Sequence, residues 1–300
     1  MQDAIRKLAD RRIYLGTSSW KYEGWKGILY AHEYPTDKAF KEGCLEEYAR
    51  AYPCVGVDHT YYAWPTPAAF GRYVAQTPPE FRFGLKVTDR ITVFQFPRQR
   101  RYGKDAGARN SSFLDPGAFT EHFLAPIAPF LGQIGPVILE FSHFHPGTLT
   151  SGRDFLERLD AFFTALGRER LPQLAVEIRN DGWLKPPYFE LLRQHGVAHV
   201  FNSWTRMPTI SRQLELSTQY PQPCYVARIL LQPGTPYEDA VEAFSPYDRI
   251  RMEYPELRAG AAALISRALA EKTPAYVFVN NRAEGCAPKT IAGIVEKLPP

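Results

Sequence analysis

The sequence predicts an α/β fold, a TIM (β/α)₈ barrel forming a single domain over residues 1–300. Apolar runs of strand length alternate with longer helical patterns, the succession expected of parallel βαβ units. Eight such pairs can be counted within 300 residues, the size of one barrel. Charges also recur on alternate positions near the ends of otherwise apolar strands. In the segment from Leu174 to Asn180, Val176 and Ile178 share one parity, while Ala175, Glu177 and Arg179 hold the other. A doubly wound open sheet is the competing architecture, but no glycine-rich dinucleotide fingerprint follows the first strand.

The elements follow in order. Ile13 to Thr17 reads as the first strand, with an amphipathic helix from Gly43 to Ala51. Val55 to Thr60 is the second, and Thr66-Pro67 opens its helix with a hydroxyl cap and a proline in the first turn. The third, Phe81 to Val87, leads into a basic loop; a helix begins near Asp115-Pro116. Thr88 to Asn110 is expected to be an irregular excursion, because it lacks a sustained helical period and Pro97 and Gly103 punctuate it. Val137 to Phe141 is the fourth strand, and the helix from Ser151 to Leu166 carries Phe155, Leu159, Phe162 and Phe163 on one side. Leu174 to Arg179 is the fifth, with a helix from Pro187 to Gln194. Ala198 to Asn202 is the sixth, and its helix has the weakest pattern. Cys224 to Ile229 is the seventh, followed by a proline-rich loop and a helix from Pro255 to Leu269. Ala275 to Asn280 and a helix from Pro288 to Lys297 close the series.

Composition narrows the function. The start Met-Gln-Asp-Ala-Ile-Arg-Lys has no apolar run, and no stretch is long and apolar enough to span a bilayer, so a cytoplasmic protein without a membrane partner is expected. The four cysteines, Cys44, Cys54, Cys224 and Cys286, lack paired CxxC spacing and read as reduced thiols. Between Arg98 and Arg109, five bases (Arg98, Arg100, Arg101, Lys104, Arg109) face one acid, Asp105. That excess equals the whole chain's net charge of +4. With Phe94, Phe96 and Tyr102 beside them, these bases could meet phosphates or stack on bases. One loop is too small for an extended nucleic-acid surface, and a solvated basic loop is the plainer reading.

In a barrel, one strand parity faces the lumen and the strand ends line the active face. That parity collects Ser18, Asp58, Thr60, Lys86, Glu140, Glu177, Arg179, Asn202, Arg228 and Asn280. Three acids (Asp58, Glu140, Glu177) meet three bases (Lys86, Arg179, Arg228). Isolated charges there would each cost several kcal/mol to desolvate, so they must pair internally, stay wet or bind a polar ligand.

Several motifs in order resemble the YecE-like family, also called domain of unknown function 72. They are Gly16-Thr-Ser-Ser-Trp-Lys-Tyr-Glu-Gly-Trp25, Asp58-His-Thr-Tyr-Tyr62 with Trp64-Pro65, Phe81-Arg-Phe-Gly-Leu-Lys86, Val176-Glu-Ile-Arg179 with Trp183, and Val279-Asn-Asn281. The similarity runs from about Ile13 to Leu298 and implies a TIM barrel without a settled activity. The chain departs from that pattern at Ser19, at Thr92-Val93, at Glu140-Phe-Ser-His-Phe-His-Pro146 and after Arg228.

Glu177, Lys86 and Glu140 are the candidate catalytic residues: an inward carboxylate at a rim can act as a base, and a desolvated lysine can serve as a base or Schiff-base amine. Arg179 and Arg228 suit an anion, with Asp58, Tyr61, Trp20, Trp183, Asn202 and Asn280 as further substrate contacts. Trp25, Tyr62, Trp64 and Trp204 also follow strand ends, where aromatic rings wall pockets or seal loops. Two carboxylates on adjacent strands invite glycoside hydrolysis, but the seventh strand offers Arg228 and no acid. His59, Glu140, His143, His145 and Glu177 are the alternative metal set of a phosphodiester hydrolase or sugar isomerase. No nucleophile elbow, phosphate loop or HExxH is present. The expectation is an acid–base enzyme without metal or cofactor, acting on a small anionic polyol such as a sugar acid or sugar phosphate. The alternative is a barrel that binds a ligand or nucleic acid without chemistry.

Overall fold

The computed structural model describes residues 1–145, 148–149, 151–167 and 171–299, so Pro146 of the motif after the fourth strand lies outside the described residues. Eight parallel strands close into a barrel in sequence order: β1 (Ile13–Thr17), β2 (Cys54–Val57), β3 (Arg82–Lys86), β4 (Ile134–Phe141), β5 (Leu174–Ile178), β6 (Ala198–Asn202), β7 (Tyr225–Ile229) and β8 (Ala275–Val279). The last strand pairs with the first from Ile13↔Ala275 to Thr17↔Val279. A single-domain TIM barrel is therefore the fold. Among the described residues no helix is long and apolar enough to cross a membrane.

Helices alternate with the strands. α1 (Gln2–Asp10) precedes β1 in addition to the eight expected pairs, with Ile5 and Leu8 buried at helical spacing. α2 (Asp37–Ala51) starts before the expected Gly43, because the Thr36 hydroxyl caps it by accepting the Ala39 N–H at 3.1 Å. α3 (Pro67–Val74) follows β2 behind a Thr66 cap. After β3 come α4 (Asp89–Thr92), α5 (Pro116–Ala118) and α6 (Ala125–Ile127). A π turn (Phe119–Leu124) joins α5 to α6, and a 3₁₀ turn (Ala128–Gln133) follows. Pro126 and Pro129 lack the N–H groups that a continuous α-helix would use there. α7 (Gly152–Leu166), α8 (Pro186–His195) and α9 (Ile210–Leu216) follow β4, β5 and β6; α9 is the helix whose pattern was weakest. α10 (Tyr237–Phe244) lies within the expected proline-rich loop, ahead of α11 (Pro255–Glu271), and α12 (Ala287–Val295) ends the series.

Two apolar regions divide along the strand parity. Val176, Ile178, Leu139, Phe141, Ala227 and Ile229 pack outward against the helices. Cys54, Ile138, Ala175, Ala198, Val200, Cys224, Val226 and Phe278 fill the lumen, with Tyr14 and Tyr276 stacked at 4.9 Å beside them. Space is tight: a Cβ built on Gly84 would come within 2.3 Å of the Phe278 ring. Glycine on β3 is what lets β8 place a phenyl ring across the barrel.

The second strand is shorter than predicted. It stops at Val57, and Asp58–Tyr61 turns into a 3₁₀ helix, so Thr60 leaves the strand parity. Its hydroxyl donates to the backbone carbonyls of Val57 (2.9 Å) and Lys86 (2.6 Å), which ties the ends of β2 and β3 together. The excursion after β3 is more ordered than expected. Beyond α4 it holds a 3₁₀ turn (Arg100–Asp105) and an antiparallel bridge between Gln95 and Arg109, and the Asn110 amide donates to the carbonyls of Arg90 and Val93.

Gly84→Ala is expected to destabilise the barrel by about 1–3 kcal/mol through overpacking against Phe278, and Phe278→Leu in the same chain should recover part of that loss. Urea denaturation of the wild type and the two variants checks this.

Candidate active site

The lumen ends in a layer of charge at the carboxyl-terminal mouth. Glu140 and Glu177 are register partners on β4 and β5, so two carboxylates stand side by side on neighbouring strands. Adjacent parallel strands are about 4.8 Å apart, and like charges at that spacing suppress one another's ionisation. Arg228 resolves the conflict from across the lumen. Its Nη1 lies 2.6 Å from Glu140 Oε2 and 2.5 Å from Glu177 Oε2, bridging the pair. Its Nη2 is 3.4 Å from Asp58 Oδ1.

Glu140 is the hub. Besides Arg228, its Oε2 accepts Lys86 Nζ at 2.6 Å and Arg179 Nη2 at 2.9 Å. The Arg179 Nε also reaches Glu177 Oε1 at 3.2 Å. Burial pushes the Glu140 carboxyl up, but Arg179, Lys86 and Arg228 together overturn that and hold it well below the usual carboxylate range. Burial works against the Arg228 charge too, yet Glu177, Glu140 and Asp58 drive its pKa above the ordinary arginine value. Lys86 goes the other way: desolvation wins over the attraction of Glu140, and its amine is pulled below the ordinary 10.5.

Aromatic rings cover two of the cations. Lys86 Nζ sits 3.8 Å from the Tyr61 ring centroid, and the Arg179 guanidinium lies 3.7 Å from that of Trp204. Glu177 is fully buried, whereas the Asp58 side chain is 37% exposed, so Asp58 is the carboxylate of this group that a solute meets first. Below it a void of about 10 Å³, lined by Ser18, Asp58, Lys86 and Arg228 among others, has room for about one water or one ligand hydroxyl. The buried Ser18 Oγ on its wall has no hydrogen-bond partner among the described residues.

The structure brings together Lys86, Glu140, Glu177, Arg179, Arg228, Asp58 and Tyr61. The remaining predicted contacts have structural duties. Asn202 is fully buried; its amide donates to the Ile178 carbonyl at 3.2 Å and its Oδ1 accepts the Trp204 N–H. Asn280 accepts the Arg282 N–H at 3.0 Å and caps a turn. Trp20 packs edge-on against Tyr73. Trp183 stacks on Phe144 and Phe155 and seals a loop over α7 rather than walling the mouth. The alternative metal set is dispersed, since Glu140 and Glu177 face cations while the His143 and His145 rings lie tilted against each other at 4.7 Å. No group of three His, Cys, Asp or Glu placed to hold a metal ion occurs among the described residues. In the sequence Trp204 stands only among the aromatic residues after strand ends. Its place over Arg179 depends on the turn after β6, which strand parity does not reach.

A family model described as "Protein of unknown function DUF72" matches residues 14–300. The UPF0759 protein YecE of Escherichia coli K12 is 28% identical over 189 residues, covering 63% of this chain and 58% of that protein. Two solved DUF72 family proteins share the fold. One, from Enterococcus faecalis V583, has a TM-score of 0.62 at 18% identity, covering 96% of each chain. The other, from Thermotoga maritima MSB8, has a TM-score of 0.61 at 21% identity, covering 95% of this chain and 96% of that one.

Glu140→Gln should cost about 3–5 kcal/mol, because it leaves buried cations without their shared counter-charge. The Glu140 carboxyl is depressed below its ordinary 4.5. The stability it contributes is therefore fully present above that pH and is lost as pH falls further. Chemical denaturation from pH 7 downward should show a steep acid loss in the wild type and a shallower one in Glu140→Gln.

Proposed function

The chain belongs to the DUF72 family of proteins of unknown function, and we propose that its charged mouth serves a metal-independent acid–base enzyme acting on a small anionic polyol, a sugar acid or sugar phosphate. One observation carries this reading: the desolvated Lys86 amine, with its pKa pulled below that of an ordinary lysine, stands with the accessible Asp58 and the unpartnered Ser18 hydroxyl around one void. A lysine so shifted has a larger neutral fraction near pH 7 and works better as a base. In the proposed step Lys86 Nζ accepts a proton from a substrate C–H or O–H, and Glu140 at 2.6 Å holds the resulting ammonium. Asp58 and Ser18 orient substrate hydroxyls. Glu177 has no exposed surface and acts by fixing Arg179 and Arg228. This moves it from the base suggested by the sequence to a positioning residue. Glu140 and Glu177 already engage guanidinium and ammonium groups, which leaves them poorly suited as metal ligands.

The anionic half of the reading rests on the surrounding loops. Lys21 after β1, Arg206 after β6 and Arg282 in the turn after β8 form no ion pair among the described residues, and all three belong to the mouth face. Unpaired cations there raise the local concentration of an anion. The complete internal pairing of Lys86, Arg179 and Arg228 favours a second reading, a barrel that binds a ligand without chemistry.

Incubating the protein in D₂O with sugar acids and sugar phosphates, and following C–H signals by NMR, separates the two. The wild type should catalyse deuterium incorporation into one class of substrate, and Lys86→Met should abolish it while the ligand still raises Tm. Binding without exchange in the wild type would replace the enzyme with the binding barrel. Neither binding nor exchange would end both.

A further inference from the structure

Beside the charged mouth, and separated from it by the Tyr61 ring, a cavity of about 440 Å³ opens between the basic excursion after β3 and the segment after β4. That volume is in the range of small-molecule sites, and its lining has the usual character: aromatic walls with a few polar groups. Phe94, Phe96 and Phe144 supply rings. Two polar atoms in the lining residues are buried without a hydrogen-bond partner among the described residues, Thr92 Oγ1 and His143 Nδ1. Thr92 is only 1% exposed, and a buried hydroxyl left unpaired costs free energy that a ligand can recover. Burial, His145 and Arg206 hold His143 below the ordinary histidine pKa. It is thus a neutral ring with one donor and one acceptor nitrogen.

The charged partner on this wall is Arg98. Its side chain lies along Gly107, where an added Cβ would come within 3.3 Å of its Cγ and Nε. The guanidinium makes no ion pair or hydrogen bond among the described residues. Its neighbour Arg101 is already committed to Asp89 at 2.9 Å. The cavity thus combines ring-sized apolar walls, a hydroxyl and an imidazole edge that lack partners, and a free guanidinium. A sugar acid leaves the rings unused, and a hydrocarbon leaves Thr92 and His143 unpaired.

We propose that this cavity binds a planar heteroaromatic ring carrying an anionic group, with a mononucleotide as the representative ligand. The ring stacks among Phe94, Phe96 and Phe144, its polar edge meets Thr92 and His143, and its phosphate or carboxylate meets Arg98. Aromatic stacking on a base is tolerant of base identity, so several mononucleotides fit equally. The site is independent of the acid–base reading and gives the basic excursion a task of its own.

Isothermal titration with AMP and UMP, and with adenosine and ribose 5-phosphate as half-ligands, tests it. Both mononucleotides should bind more tightly than either half-ligand. Arg98→Ala, an exposed side chain whose loss leaves the fold intact, should weaken AMP by about tenfold or more, the worth of one charged hydrogen bond. Thr92→Val should weaken AMP and adenosine alike while leaving ribose 5-phosphate unaffected. No mononucleotide binding at millimolar concentration, or AMP affinity unchanged in both Arg98→Ala and Thr92→Val, would overturn the proposal; melting of the free variants shows that each is folded.

Discussion

The Glu140 carboxylate is the point on which the mouth of this barrel depends. Three cations from three strands or strand ends, Lys86, Arg179 and Arg228, converge on its Oε2 within 2.9 Å. Without that convergence the guanidinium of Arg228 and the amine of Lys86 would be buried charges in a low-dielectric lumen, each costing several kcal/mol. Without the cations, Glu140 and Glu177 would be like charges in register on adjacent strands. Neither half is tenable alone, and together they form a network that is nearly neutral and rigid. The same network holds Lys86 against Glu140, with the Tyr61 ring over its amine.

The rest of the barrel supports that layer. Phe278 crosses the lumen beneath it in the space left by Gly84. Thr60 fastens the ends of β2 and β3, so the backbone that carries Asp58 and Lys86 is set by hydrogen bonds rather than by loop entropy. The excursion after β3 is bound into the same assembly, because Tyr102 donates to Asp89 at 2.8 Å and Arg101 pairs with the same carboxylate. Tyr61 is shared, facing Lys86 on one side and the aromatic cavity on the other.

Much of this was legible in the sequence for one physical reason. Strands of a parallel barrel are buried on both faces, so a charge within one is conspicuous, and a period of two assigns it to the lumen. Glu140, Glu177, Lys86 and Arg228 were found in this way. Internal pairing was one of the outcomes that the set of charges allowed, but the exact partners were not legible, because Arg228 and Glu140 are 88 residues apart and meet across the lumen through side-chain length, not strand adjacency. Parity also misled where a strand stopped early: Thr60 was counted inward but belongs to a 3₁₀ turn. Aromatic residues after strand ends gave no direction of their own. Trp204 covers Arg179 while Trp183 packs on Phe155, and the loop backbone alone decides between those fates.

Burial, against the pull of Glu140, leaves Lys86 more easily deprotonated than a free lysine. Selective ¹³C labelling of lysine and NMR titration of the Lys86 Cε, assigned through Lys86→Met, measures this at the atom concerned. The expected midpoint lies below the ordinary 10.5. A midpoint at or above that value would mean that the carboxylates dominate and Lys86 is a permanent cation, and the mouth would then be a structural plug of ion pairs.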